Sequence, residues 1–485
     1  IVAYDLAGRV DTVTRPDSTT ESFTALQVQS LCDAGQCTQG NPGLPLLAAE
    51  AVSDYTDPRG NAWDYRLDWW GFGTVTQITD SLGQPAPAGH MSVYHRDSNG
   101  VVSQSTDRLD RNVTYTLDTK GNPTKATLPD LKTQLFQYNS FSQVTQATDE
   151  LGRVTVNTFD AAGNLTQVTQ PDPDGDGPLT SPVTTFVNDS QGRRTSLTDA
   201  RGYTTNFSYD TRDRVTEIKY PDSDGDPNNN PKVTFAYDTA SNVTARTDER
   251  NNTANFTFDN LNRLLTVRNA LGNTTLTATY DAAGNQTTIA NALGQTTSIA
   301  YNAMNRVTSV TEPDPDGAGP LLASVTSFGY DAAGNVTSVT DPINRVTTNA
   351  YNALNQRTST TTPLGFVTTF TVDAEGQVTA VEDPIGRTTY SFTNRGLVAS
   401  TTNPLNQTTS YGYDAAGNHT SITDPMSYGQ GYQYDNLNRP KQYTDQLNKT
   451  RTFSYDAAGN RTGVTDPLGH TTSYAYDPRG RLISI

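Results

Sequence analysis

No run of eighteen apolar residues occurs anywhere in this sequence, so no segment is long and apolar enough to span a bilayer as a helix. Apolar residues are scarce altogether, 34% of 485, and such a chain can fill many thin layers but not one thick core. Basic residues are also in short supply. With 34 Lys and Arg against 51 Asp and Glu, the net charge of -17 excludes a surface built for nucleic acid or anionic membrane, since both need clustered cations. Only two cysteines occur, Cys32 and Cys37 in LCDAGQC, too few to complete a four-ligand metal site. They either close a short loop disulfide, which would favour an oxidising compartment, or stand as two reduced thiols. Four histidines, His90, His95, His419 and His470, are scattered along the chain, and no GxSxG, HExxH or P-loop phrase accompanies them. No catalytic residues are assigned, and an enzyme is not expected. The chain opens IVAYDLAGRV, already inside a repeat and without a signal-peptide pattern, which suggests a mature segment or a fragment.

What the sequence does contain is one phrase, repeated. The stretch YDAAGNVTSVTDPINRVTTNAYNALNQ from Tyr330 to Gln356 passes through one cycle and begins the next. Equivalent places are held by Leu117, Tyr138, Phe159 and Asn188, and so on through Tyr434, Tyr455 and Tyr476; of sixteen intervals eleven are 21 residues. Three intervals are 28 or 29 residues and carry acidic insertions. A period this regular marks a repeat architecture.

Each unit holds two turn signals and two strand signals. In DAAGN, Asp can bond backbone two residues on and Gly supplies positive φ; in DPLG, at 466–469, Pro suits the second position of a turn and Gly its end. Between them lie runs rich in Thr, Val and Tyr, so one unit is one β-hairpin. Aromatics alternate along the second strand, as in Phe207 with Tyr209 and Phe453 with Tyr455, which puts both rings on one face and predicts aromatic columns across the sheet. Such columns would hold the layers together, or offer a stacking platform to a carbohydrate or a partner. Seventeen hairpins give about 34 strands and a sheet roughly 160 Å across. Open sheets seldom exceed about ten strands without curling. The expected fold is all-β: tandem hairpins forming one long coiled antiparallel sheet, as a spiral shell or a superhelical rod. Residues 1–54 are irregular, with one repeat and an insertion; 55–116 are degenerate repeats; 117–485 are the regular array.

The phrase YDxxGN/R followed by a strand and DPxGR resembles the YD repeat of the RHS (rearrangement hot spot) family, with close instances at Tyr280, Tyr330, Tyr413, Tyr455 and Tyr476. The resemblance covers about residues 55 to 485. It implies a sheet spiralling around a hollow interior, with no catalysis in the repeats themselves. Toxin members of the family carry a self-cleaving region and a toxin domain after the repeats. Here the last residues, YAYDPRGRLISI, stand inside a repeat, so neither cleavage residues nor toxin activity carries over.

Two further features are candidate sites. In PDPDGDGP (171–178) and PDSDGDPN (221–228), the alternating Asp172, Asp174 and Asp176, and Asp222, Asp224 and Asp226, offer hard oxygen ligands of the kind weak calcium loops use; the third insertion, PDPDGAGP (313–320), keeps only Asp314 and Asp316. The alternative is a solvated acidic loop. No cofactor is required, and calcium is the one the sequence suggests. Fourteen N-x-S/T sequons occur, among them Asn112, Asn164, Asn242, Asn285, Asn335, Asn418 and Asn460; most are by-products of the GNxT turn and are glycosylation candidates only in a source that glycosylates. The function expected first is a non-catalytic extracellular or cell-surface scaffold, part of a fibre or adhesin. The second is a section of an RHS-type shell enclosing a toxin domain, and the third is a carbohydrate- or partner-binding surface. Expected partners are other copies or flanking parts of the same protein, with glycans or a cell-surface partner for the binding surface, and neither nucleic acid nor a membrane span.

Overall fold

A six-residue strand, a five-residue turn, a five-residue strand and a second five-residue turn account for the 21-residue period. The computed structural model describes residues 2–4, 10–23, 27–28, 51–67, 75–79, 91–97, 99–222, 229–317, 319 and 321–485. In it Val325–Tyr330 and Val336–Thr340 are strands of one repeat, 331–335 and 341–345 are its turns, and Val346–Tyr351 opens the next. Among the described residues there are 44 strands and no helix, and 42 of the strands belong to one long antiparallel sheet. Strands pair with their neighbours in the chain, as short connections require.

The two turns of a repeat are the same structure. Asp331 N–H donates to the Asn335 carbonyl (3.0 Å) and Gly334 N–H to the Asp331 carbonyl (3.1 Å). In 341–345 the matching bonds are Asp341 to Arg345 (3.0 Å) and Asn344 to Asp341 (2.9 Å). The fourth residue has positive φ in both, 99° at Gly334 and 63° at Asn344, which only Gly, Asn or a similar short polar residue adopts cheaply. Each is a type I turn closed by one left-handed residue.

What differs is the ladder that follows. Beyond the YD turn the register slips by one residue at Gly329/Tyr330, whereas beyond the DP turn Ser338, Val339 and Thr340 face Thr348, Thr347 and Val346 without interruption. The same bulge recurs beside Tyr138, Tyr209, Tyr301 and Tyr455. It makes the period odd, and it adds the same local bend and twist to each hairpin.

Side chains fill this frame thinly. Along Thr204–Tyr209, Phe207 and Tyr209 are half-buried while Asn206 and Ser208 are exposed. The buried apolar residues among those described are Ala126, Val233, Ala278 and Ala380. Cohesion comes from backbone ladders and half-dry stripes instead of a central core. The aromatic columns are interrupted: Phe207 faces Ile218 and Phe328 faces Val339 across the ladder, and cross-strand ring pairs such as Tyr432 with Tyr443, centroids 5.0 Å apart, are few.

The chain gathers into two compact units, each made of two stretches distant in sequence: 1–132 with 298–407, and 133–297 with 408–485. In each unit the earlier stretch meets the later one through turns.

Candidate functional site

The recurrent polar feature is the turn carboxylate. Asp341 Oδ1 accepts the N–H groups of Ile343 (3.0 Å) and Arg345 (2.9 Å), and its Oδ2 accepts Arg345 Nε–H (2.6 Å). In 331–335 the fifth residue is Asn335, whose Nδ2–H donates to Asp331 Oδ2 (2.8 Å). Such bonds stabilise the ionised form. The Arg214 side chain, above all, holds Asp210 down at about 2, and the Asn164 amide does most to lower Asp160. These acids are committed to closing turns, which leaves them poorly suited to proton transfer.

Arginine at the fifth turn position also links one repeat to the next. The guanidinium of Arg214 lies 4.5 Å from the ring centre of Tyr237 and donates to the Asp238 carbonyl (2.9 Å). Arg263, Arg306 and Arg439 repeat this over Tyr280, Tyr330 and Tyr455. A cation over an aromatic face contributes about 0.5–1 kcal/mol at an exposed site. The tyrosine hydroxyl then reaches back: Tyr351 donates to the Val336 carbonyl (3.0 Å), Tyr434 to His419 (2.8 Å) and Tyr476 to Arg461 (2.9 Å). Those carbonyls belong to the residues at the bulge. Tyrosine is therefore the ring of the repeat because its hydroxyl satisfies a carbonyl there.

The same turns make the long-range contacts. In the first unit, Arg59 of the DP turn 57–61 donates to the carbonyls of Asn352 and Ala353 (both 3.0 Å) and to Asn355 Oδ1 (2.6 Å) in a YD turn. Asp17 pairs with Arg306 at 3.3 Å, Arg108 N–H donates to Glu375 Oε1 (2.6 Å), and Asp130 lies 3.7 Å from Arg395. In the second unit, Arg201 donates to the carbonyls of Asp477 (3.2 Å) and Pro478 (2.9 Å), and Arg479 pairs with Glu249. Leu437 lines a cleft with Phe136 and Ala147. In every case DP turns of the earlier stretch sit on YD turns of the later one. The two buried polar residues among those described, Asp57 and Asp435, are turn carboxylates at these contacts.

The acidic insertions leave the sheet where a DP turn would be. Asp172 and Pro173 give their carbonyls to Asn436, which donates through Nδ2 (2.7 Å) and its N–H (2.9 Å). Asp174 accepts Leu179 N–H (3.3 Å) and Asp316 accepts Leu321 N–H (3.1 Å), so these carboxylates fold their own loops. Among the described residues no group of three or more His, Cys, Asp or Glu is placed to hold a metal ion. Asp222 is described; Asp224, Asp226, Cys32, Cys37 and His90 lie outside the described residues. His95 is on Met91–Arg96, His419 is ringed by Tyr411, Tyr413 and Tyr432, and His470 bonds Asp466 at 3.0 Å, so the described histidines are not brought together. Asn112 is exposed and accepts from Thr106 (2.5 Å). At Asn164, Asn242, Asn285, Asn335, Asn418 and Asn460, the Nδ2 atom that a glycan would occupy is the donor to the turn aspartate four residues earlier. The arginine linkage and the edge contacts were not anticipated from the sequence. The signal was there in the fifth turn position, which is repeatedly Arg or Asn.

Taken together, these features define an all-β array of tandem hairpins whose turns carry the specific contacts. The RHS repeat model matches residues 138–175, 189–224, 280–317, 324–369, 372–405, 393–425, 434–471 and 455–485, more than half of the sequence, and the chain belongs to the RHS repeat family. No curated protein matches it. Among solved structures it is similar to a chain of TcdB2-TccC3 at 14% identity and a TM-score of 0.67, covering 100% of this chain and 31% of that one. A chain of TcdB2-TccC3-Cdc42 gives 15%, 0.64, 98% and 27%. One of the Photorhabdus luminescens Tc holotoxin pore gives 14%, 0.59, 99% and 30%. The chain thus spans about a third of the length of these structures, and the likeness is one of fold.

Proposed function

We propose that this chain is a section of an RHS-type shell, a non-catalytic wall that encloses a polypeptide, in a secreted or cell-surface protein. The observation that carries the reading is the docking of DP turns on YD turns between stretches 230 to 317 residues apart, because it seals one strip of sheet against the next. The fold likeness to chains of toxin complexes supports the same reading. So does the bulge repeated on one side of each hairpin, which bends every repeat alike. The wall contributes no chemistry in this proposal, since its abundant carboxylates are engaged in turns. The partners are then flanking parts of the same protein and the enclosed segment. Electron microscopy of the purified protein tests this: curved walls around a cavity are expected, and straight rods of stacked hairpins would overturn it.

A further inference from the structure

In the second unit, the sheet face that carries the rings carries no acid. Among the described strands of that unit the one acidic residue is Glu217, which faces Ser208 and pairs with Lys232 at 2.9 Å. Ser208 is exposed on the side opposite Phe207 and Tyr209. Cations do stand among the rings: Arg194 over Phe186, Arg246 opposite Phe235 and Arg461 over Tyr474. In a chain of net charge -17, this segregation leaves positive charge unanswered on one face.

Arg194 is the clearest case. It is the first residue of a five-residue strand, a place held by Leu165 and Val215 in the repeats on either side. Its neighbour Arg193 is paired with Asp189 (2.7 Å) and Asp213 (2.8 Å). The Arg194 side chain makes no hydrogen bond or ion pair among the described residues, although its Nε is buried. Its guanidinium lies 4.0 Å from the centre of the Phe186 ring, and a guanidinium over a ring keeps its N–H groups in its own plane, open to a planar acceptor. Beside it runs a groove of about 410 Å³ whose apolar walls are Leu165, Phe207, Tyr209 and Val215. The other polar side chains there are committed. Asn164 donates to Asp160 Oδ2 (3.0 Å), Asn188 to the Leu165 carbonyl (3.0 Å) and the Tyr209 hydroxyl to the Arg194 carbonyl (2.7 Å). Arg194 alone has given away none of its side-chain donors.

We infer that this groove binds a carboxylate carried on an apolar body, with the carboxylate on the Arg194 guanidinium and the body against Phe207, Tyr209 and Val215. A carboxylate matches the fork of N–H groups and draws charge-assisted hydrogen bonds from it, while the apolar body covers a wall that is only half dry. A free carboxylate and a glutamate side chain of a polypeptide share this chemistry. The inference goes beyond the shell reading and does not depend on it, since the groove is formed within residues 164–215 alone.

Saturation-transfer difference NMR on the 485-residue chain tests it with two probes, phenylacetate and a blocked tripeptide of valine, glutamate and phenylalanine. Saturable binding of at least one is expected. Binding of phenylacetate alone assigns the site to a free carboxylate, and binding of the tripeptide, with or without phenylacetate, assigns it to an acidic polypeptide. Phenylacetamide, which keeps the ring and lacks the charge, should bind about tenfold more weakly or worse. Arg194→Gln should weaken binding of the carboxylate by a similar factor. Val215→Glu, which brings a carboxylate of the chain's own into the groove, should abolish it, and Arg345→Gln, at an exposed turn, should leave it unchanged. If one groove variant fails to fold by circular dichroism, the other decides. No saturable binding of either probe, an amide bound as tightly as the acid, or a folded groove variant that binds like wild type would each overturn the inference.

Discussion

The docked turn 57–61 and the undocked turn 341–345 close with the same bonds, yet their surroundings differ in every other respect. Asp57 is 5% exposed and its neighbour Arg59 reaches three acceptors across the contact. Arg345 serves only its own Asp341 and is 63% exposed, and the tip between them is Ile343 instead of a charge. The comparison separates two roles for one motif. Its internal bonds make a hairpin, and its tip residue decides what the hairpin's edge will touch.

The widest test of the shared internal bonds is acid. The carboxylates of Asp149, Asp341, Asp466 and Asp477 are held below the ordinary 3.8, and that of Asp210 at about 2, so the contribution of these groups is present above pH 4 and is lost as pH falls through the folded value. Stability followed by fluorescence should be flat above pH 4 and collapse between about pH 4 and 2, at docked and undocked turns alike. Loss of structure near pH 6 would contradict it. Next comes the difference between edges. Asp435→Ala leaves the N–H groups of Leu437 and Arg439 and the Arg439 Nε–H without their acceptor in a buried place, and should cost about 2–4 kcal/mol by denaturant titration. Asp466→Ala, at an exposed turn, should move the midpoint far less. Arg59→Ala should cost about 1–3 kcal/mol, whereas Arg345→Ala should stay within about 0.5 kcal/mol. Equal effects would erase the distinction between the edges. A modest effect is expected at Tyr351→Phe, which removes the hydroxyl from the Val336 carbonyl and should cost about 0.5–1.5 kcal/mol.

Much of this was legible in the residues. Period and turn residues together predict tandem hairpins, and the alternation of Phe207 with Tyr209 places both rings on the half-buried face. Both turns are legible as turns, but their identity is not, because Pro342 and Ala332 look unlike at the second position, while the feature they share lies in the fourth residue's positive φ and the fifth residue's bond to Asp. The bulge leaves no residue signature except the odd period. Edge contacts such as Arg201 with Pro478 depend on how far the sheet bends per repeat, a quantity that no local pattern encodes. The acidic loops read as weak calcium loops or as solvated ones from spacing alone; in the structure Asp174 accepts the Leu179 N–H and Asp316 the Leu321 N–H.

Amide hydrogen exchange resolved to single turns, corrected for the intrinsic rate of each residue type, tests edge docking most directly, because Gly60 and Asn344 make the same turn bond in a docked and an undocked turn. The amides of 57–61 and 352–356 should exchange several-fold more slowly than those of 341–345 and 362–366. Equal exchange at the two sets would contradict docking as the contact that joins the two stretches of the first unit.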